Sequence, residues 1–496
     1  MKRRDFFSSV SVATVALAPS VSCSVSETPT RGPVDVGSSR QLFLDDLWFD
    51  KKENVRLAFH TPTPREIVIR AKDHPWEPIA HGLHYSCVLK DGDRFRMWYR
   101  VDVGKDARAL TCYAESQDGA HWEKPDLGIV EWKGSKKNNL VFPSGEVEGI
   151  NASIILDPNG SGDERYKMIT RPSGRILGFA SGDGLHWKPV AGNPLIDNPP
   201  VDSHNILLWD DEKKRYVIYL RGIDRSRPGD FKGGKRAIRR AESEDFLRWS
   251  TPELVVSADD QDPEDLNLYT NAAVKYERAQ RAYLMFPMVL YTRRHYEKAP
   301  GPQTTSTVPG LSPTFAGLSD TQFASSRDGI RWDRRRKPFL GPGRDERSWC
   351  DRNPIMGVGV LQTAHDELSM YYSDFLRYPE SHFRRATLRT DGFVSVEGPY
   401  AGWGEFTTPP LVFSGNQLKM NYRTSGGGTI LVELQQQDGR SIPGFSLDDC
   451  SPIFGDKIDA AVHWKERTDF GSLADRPVRL RVRLRDAHLF AFRFAA

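Results

Sequence analysis

A seven-residue phrase recurs four times along this 496-residue chain, and it limits what the chain can fold into more than any other feature. The copies run Ser116-Gln-Asp118-Gly119-x-x-Trp122, Ser181-Gly-Asp183-Gly184-x-x-Trp187, Ser243-Glu-Asp245-x-x-x-Trp249 and Ser326-Arg-Asp328-Gly329-x-x-Trp332. A degraded fifth copy stands at Arg389-Thr-Asp391-Gly392. From Asp to Asp the spacings are 65, 62, 83 and 63 residues. Such a period, in a chain rich in Gly, aromatic and β-branched residues, predicts radially repeated β-structure with one phrase per blade. Asp-Gly supplies the positive φ of a tight turn, Ser can bond nearby backbone, and Trp can wedge between sheets. Five phrases predict an all-β, five-bladed β-propeller.

The chain exceeds the usual size of one hydrophobic core, so a second, smaller domain is expected. Its 69 basic and 66 acidic side chains are interspersed, with a net charge of +3 and no basic stripe, which argues against a nucleic-acid partner. Counting from the phrases lays out three β-rich runs per blade, for example 84–89, 94–100 and 109–114 in blade one. Blade four carries a Pro-, Gly-, Ser- and Thr-rich insertion at about 293–319, which accounts for the 83-residue gap. Loops that long are more often functional than idle. Beyond about residue 401 the phrase stops, and regular short strands with Gly-rich turns predict a C-terminal β-sandwich. The expected division is an export signal at 1–23, a linker at 24–40, a propeller at 41–400 and a sandwich at 401–496.

The start of the chain, Lys2-Arg3-Arg4-Asp5-Phe6-Phe7 before a short apolar run, resembles a twin-arginine export signal, with the periplasm or cell envelope as destination. Ser20-Val21-Ser22-Cys23 is an imperfect lipobox, so lipidation of Cys23 is the one route to a membrane that the sequence offers. The remaining cysteines, Cys87, Cys112, Cys350 and Cys450, are too scattered for a disulfide framework or a zinc motif, and are read as reduced thiols.

In a propeller the innermost strand of each blade lines the axis, and its start opens onto one mouth. Five segments occupy that place: His81-Gly-Leu-His84-Tyr85, Glu146-Val-Glu148-Gly-Ile-Asn151, Asp202-Ser-His204-Asn205, Glu264-Asp265-Leu-Asn-Leu-Tyr269-Thr-Asn271 and Trp349-Cys-Asp351-Arg352-Asn353. The candidate catalytic carboxylates are Asp202, then Asp351, Asp265 and Glu148; the competing reading of each is a carboxylate capping backbone at a strand start. His84, His204, Asn205, Tyr269, Asn271 and Trp349 are candidates for holding a ligand. Arg100, Arg171 and Arg221 end successive second strands and would suit an anionic sugar, or else bridge blades. Trp76, Tyr269 and Trp349 could stack on sugar rings or simply pack. No cofactor is expected, although His84 and His204 could share a divalent ion. Oligomeric state has no sequence signal.

Five blades, the Ser-x-Asp-Gly-x-x-Trp phrase and a trailing β-sandwich resemble the invertase-type glycoside hydrolases and the related arabinanase and xylosidase families. The resemblance implies carboxylates from different blades acting at the funnel floor, one protonating the leaving oxygen while another assists attack on the anomeric carbon. The family's blade-one acidic motif is absent, with His81-Gly-Leu-His84-Tyr85 in its place. Its Arg-Asp-Pro motif has a counterpart in Val201-Asp202-Ser-His204-Asn205, and its Glu-Cys motif is nearest to Glu264-Asp265. The expectation is an exported glycoside hydrolase acting on a terminal sugar of an environmental, anionic glycan. The alternatives are a non-catalytic carbohydrate-binding propeller, a metal-assisted lyase or other non-hydrolytic sugar enzyme, and an envelope scaffold.

Overall fold

The computed structural model describes residues 32–496 apart from 72, 75–76, 78, 104–107, 143–150, 172–173, 198–203, 230, 232, 295–316, 351, 377 and 466; for 79–81, 102–103 and 108 it describes the backbone only. It is almost entirely β. Five antiparallel sheets form the propeller. Blade one is Ile79–Asp91, Arg94–Val103, Arg108–Ser116 and Leu140–Phe142. Blade two is Ser153–Leu156, Tyr166–Thr170, Leu177–Ser181 and Lys188–Pro189. Blade three is Ile206–Asp210, Arg215–Asp224, Lys235–Ser243 and Glu253–Val256. In blade four the two inner strands are each broken, into Leu266–Leu268 with Val274–Lys275 and Tyr283–Met285 with Met288–Tyr291, before Leu318–Ser326 and Asp333–Leu340.

Blade five shows how the ring closes. Ile355–Met356, Glu367–Asp374 and His382–Arg389 are joined by Thr63–Arg70 from the other end of the chain, which pairs antiparallel with His382–Arg389. The first strand of the ring thus completes the last blade, removing a sheet edge that would otherwise stand open.

The four phrases are hairpin turns that share an Asp cap, the Asp Oδ1 accepting the N–H groups two and three residues on. Ser116 Oγ accepts the Gly119 N–H at 2.9 Å, and Asp118 Oδ1 accepts the N–H groups of Ala120 and His121, both at 2.8 Å. Each turn also docks on a neighbouring blade. The carbonyl of Gly119 accepts the Tyr371 hydroxyl at 2.6 Å, that of Gly184 the Trp98 Nε1–H at 2.9 Å, and that of Gly329 the Tyr219 hydroxyl at 2.5 Å. The third copy has Phe246 where the others have Gly, at φ 68°. The neighbouring strand has Ile169 where the register puts Trp98 and Tyr219, and Phe246 packs into the same apolar cluster as Ile169. The missing donor and the missing glycine therefore compensate each other.

The second domain is one ten-stranded sheet. Its long strands Gln417–Gln436 and Val478–Ala495 pair along their length, with a bulge between Thr424 and Thr429. Leu418 and Met420 before the bulge share one buried core with Val432 and Leu434 after it, so the sheet encloses its own interior as a sandwich does. Pairing moves the expected boundaries. Val34–Gly37, read as linker, pairs with Leu411–Phe413. Gln41–Leu42, Lys51–Glu53 and Arg56–Phe59, read as propeller, belong to this sheet, as does Val394–Glu397. The reason is ring closure: the strand that completes blade five lies beside the chain leaving it, so the residues before one and after the other stay paired.

The degraded fifth phrase lies at that crossing. Asp391 is fully buried, and its carboxylate accepts the Tyr276 hydroxyl at 2.7 Å, Arg278 Nε at 3.1 Å and Asn421 Nδ2 at 3.2 Å, with Arg40 at 3.2 Å. It joins blade four to the C-terminal sheet instead of capping its own turn. Removing one partner of a buried charge pair leaves the rest uncompensated, so Asp391→Ala should cost about 3–5 kcal/mol. Asp328→Ala, which removes a half-exposed turn cap, should cost about 1 kcal/mol. Denaturant unfolding of the two variants measures the contrast.

Candidate functional site

In each antiparallel blade the start of the innermost strand, the end of the second and the start of the third lie at one end. In blade one, His84 stands opposite Arg100. In blade five, Ile355 is opposite Ser373, and His382 opposite Asp374. These ends form the mouth of the axis.

Tyr85 of blade one and Tyr269 of blade four meet across this mouth, their hydroxyls 3.5 Å apart. Tyr85 also forms an apolar cluster with Met288, Ile355 and Leu376, against which Tyr269 and Cys350 pack. Burial, and then the neighbouring Tyr269, push the Tyr85 hydroxyl well above its ordinary pKa, so it remains a protonated donor. Guanidinium groups surround the pair. Arg352 donates to the Tyr269 hydroxyl at 3.3 Å. Arg236 lies over the Tyr269 ring at 4.0 Å and donates to its carbonyl at 3.1 Å. Arg100 stands 6.0 Å from the Tyr85 ring and donates to Asn151 Oδ1 at 2.8 Å.

Two imidazoles flank Tyr85, with ring centroids 4.6 Å away for His84 and 5.4 Å for His204. His204 Nε2–H donates to the Ala152 carbonyl at 3.1 Å, and burial lowers its pKa to about 4. At neutral pH it is therefore uncharged, with Nδ1 left as an acceptor. Tyr85, Asn151 and Arg352 take left-handed backbone at φ 54°, 60° and 58°. Three such residues at inner-strand starts mark the mouth as a place where backbone strain is held.

Of the expected carboxylates, Glu148, Asp202 and Asp351 lie outside the described residues, as does Trp76. Asp265 is buried; its Oδ2 accepts the Arg293 N–H at 3.4 Å and faces Arg294 Nε at 3.7 Å, while its carbonyl accepts Thr292 N–H at 3.1 Å. It anchors the start of the blade-four insertion. Asn271 Nδ2 donates to the Tyr219 carbonyl at 3.3 Å and so links blades four and three. Asn205 Oδ1 accepts the Arg221 N–H at 3.2 Å within blade three. Arg171 follows the second strand of blade two. Trp349 is half-buried and donates Nε1–H to the Gly343 carbonyl at 3.0 Å. Among the described residues, no group of three or more His, Cys, Asp or Glu side chains could hold a metal ion, and no helix is long and apolar enough to cross a membrane. Cys87, Cys112 and Cys450 are buried thiols outside any disulfide, and Cys350 is half-buried.

Sequence reasoning missed Arg236, Asp320 and His382. All three sit at the starts of third strands, which a meander returns to the mouth, and counting those starts as well would have found them. Asp320 is half-buried beside Tyr291 and Arg294, and burial raises its carboxyl to about 6. It is the described carboxyl best suited to give up a proton near neutral pH.

No family model matches the chain. It is 30% identical over 148 residues to an uncharacterized protein of Mycobacterium tuberculosis strain H37Rv, and equally to one of strain CDC 1551, a stretch covering 28% of this chain and 46% of each relative. The chain thus spans about half the length of the curated relatives it matches. Among solved structures it is similar to one from the GH130 family of mannoside phosphorylases, which contains glycoside hydrolases that target β-1,2 mannosidic linkages in Candida mannan (16% identity, TM-score 0.43, covering 66% of this chain and 94% of that one). It is also similar to an N-acetylgalactosamine deacetylase from F. plautii (14%, TM-score 0.43, 67% and 95%) and to an α-L-arabinanase of Penicillium chrysogenum (10%, TM-score 0.40, 67% and 98%).

The burial of neutral His204 sets a pH dependence. In the unfolded chain its imidazole binds a proton near 6.5, while the folded protein resists until about 4. Stability is therefore complete above 6.5 and falls as pH drops through that window, by about 3 kcal/mol at pH 4 for this residue. Melting curves from pH 7 to 4 should show the loss, and His204→Gln should reduce the slope.

Proposed function

We propose that the mouth is the site of a carbohydrate-active enzyme, a glycoside hydrolase that takes a terminal, anionic sugar, and that the protein is exported to the periplasm or cell envelope. The observation that carries this reading is the convergence of Tyr85, Tyr269, Arg100, Arg236 and Arg352, with the two tyrosines packed into an apolar cluster. Hydroxyl donors and planar guanidinium groups suit sugar hydroxyls and a carboxylate or sulfate. Asp202 is our choice for base or nucleophile, with Asp351 and Glu148 as the remaining carboxylates of the set.

The engagement of Asp265 with Arg293 and Arg294 favours a second reading, a propeller that binds carbohydrate without cleaving it. One assay separates the two. Polysaccharides and oligosaccharides, neutral, uronic and sulfated, are incubated with the wild type, Asp202→Asn and Arg352→Lys. The hydrolase reading expects product from acidic glycans, lost by about 100-fold or more in Asp202→Asn, with a raised KM in Arg352→Lys. Binding without product favours the second reading. Turnover unchanged in Asp202→Asn removes that residue from the mechanism.

A further inference from the structure

The mouth residue Arg352 is held in left-handed backbone at φ 58°, and something must keep it there. We propose that Asp374 is the positioning residue that does so, fixing the segment 348–353 so that Arg352 reaches Tyr269; this rests on the mouth being the substrate site.

Asp374 ends the strand Glu367–Asp374 and is 7% exposed. One of its oxygens, Oδ1, accepts Ser348 Oγ–H at 2.9 Å, Asn353 Nδ2–H at 3.0 Å and the Phe375 N–H at 3.0 Å. Asn353 Nδ2 also donates to the Ser348 carbonyl at 2.7 Å. Both ends of the segment are thereby tied to one carboxylate oxygen and to each other, and Arg352 immediately precedes one tie. Oδ2 faces His382 Nε2 and Arg384 Nε, each at 3.9 Å. Phe375, next to Asp374, is itself left-handed at φ 56° and stacks edge-on against His382 at 4.8 Å.

Strained residues persist only where their surroundings over-determine them. With Oδ1 engaged by three protein donors, the proposed action of Asp374 on Arg352 runs through Ser348 and Asn353.

The test uses Cys350, half-buried within the segment, as a reporter; Cys87, Cys112 and Cys450 are buried. Its rate of modification by an aromatic disulfide is measured in the wild type, Asp374→Ala and Asp374→Asn, with Cys350→Ser as blank and turnover of acidic oligosaccharides alongside. Asp374→Asn retains an acceptor at Oδ1. The clamp expects modification to be faster and kcat/KM lower, each by about tenfold or more, in Asp374→Ala, and both within about threefold of wild type in Asp374→Asn. Equal modification rates in wild type and Asp374→Ala overturn it. So does an Asp374→Asn variant as impaired as Asp374→Ala, because the charge itself would then be at work. If Asp374→Ala does not fold, Asn353→Ala removes the ties at one end, and an unchanged Cys350 rate overturns the clamp equally. Absence of turnover in the wild type counts against the proposed function alone, since the thiol rates still decide the clamp.

Discussion

The architecture depends on one crossing, where the chain passes twice between the propeller and the C-terminal sheet. Thr63–Arg70 closes the ring against His382–Arg389, and a few residues away Arg56–Phe59 pairs with Val394–Glu397 in the other domain. His60 N–H donates to the Phe393 carbonyl at 3.0 Å between these two ladders, so the ribbon is nearly continuous. Asp391 lies in this crossing with two arginines, a tyrosine and an asparagine around it. A buried carboxylate is tolerated only with such partners, and its partners come from both domains. Ring closure and domain docking therefore rest on the same few residues.

Elsewhere the blades are joined by a second device. A turn carbonyl at the outer hairpin of one blade accepts an aromatic donor from the next, at Gly119, Gly184 and Gly329. Such bonds fix blade spacing more sharply than apolar packing, because they have direction. At Phe246 the same seam is apolar on both sides, which shows that what the seam must preserve is complementarity.

Rigid seams have a consequence at the mouth. Residues from blades one, three, four and five meet there within hydrogen-bonding or stacking distance of Tyr85 and Tyr269, an arrangement that would blur if the blades could shift. Left-handed backbone at Tyr85, Asn151 and Arg352 is held by that frame. The mouth is thus assembled by several blades at once, with side chains from four of them meeting at the two tyrosines.

The repeat spacing, the Asp-Gly turns and the alternation of strands were legible directly, because turn chemistry and strand period are local properties of the chain. They determined an all-β chain, the number of blades and the places where inner strands begin, hence Tyr269, His84, His204, Arg100 and Arg352's segment as neighbours of the axis. What spacing could not reveal is pairing between residues hundreds of positions apart. Only tertiary structure assigned Thr63–Arg70 to blade five and 34–59 to the C-terminal sheet, since a strand's partner is set by which edge is left open. Only it engaged Asp265 with Arg293 and Arg294, set Arg236 over Tyr269 and His382 beside Asp374, and turned the degraded fifth phrase from a hairpin cap into the pin between domains. Those outcomes depend on burial and on side chains meeting across blades, which exist only once the ring has closed.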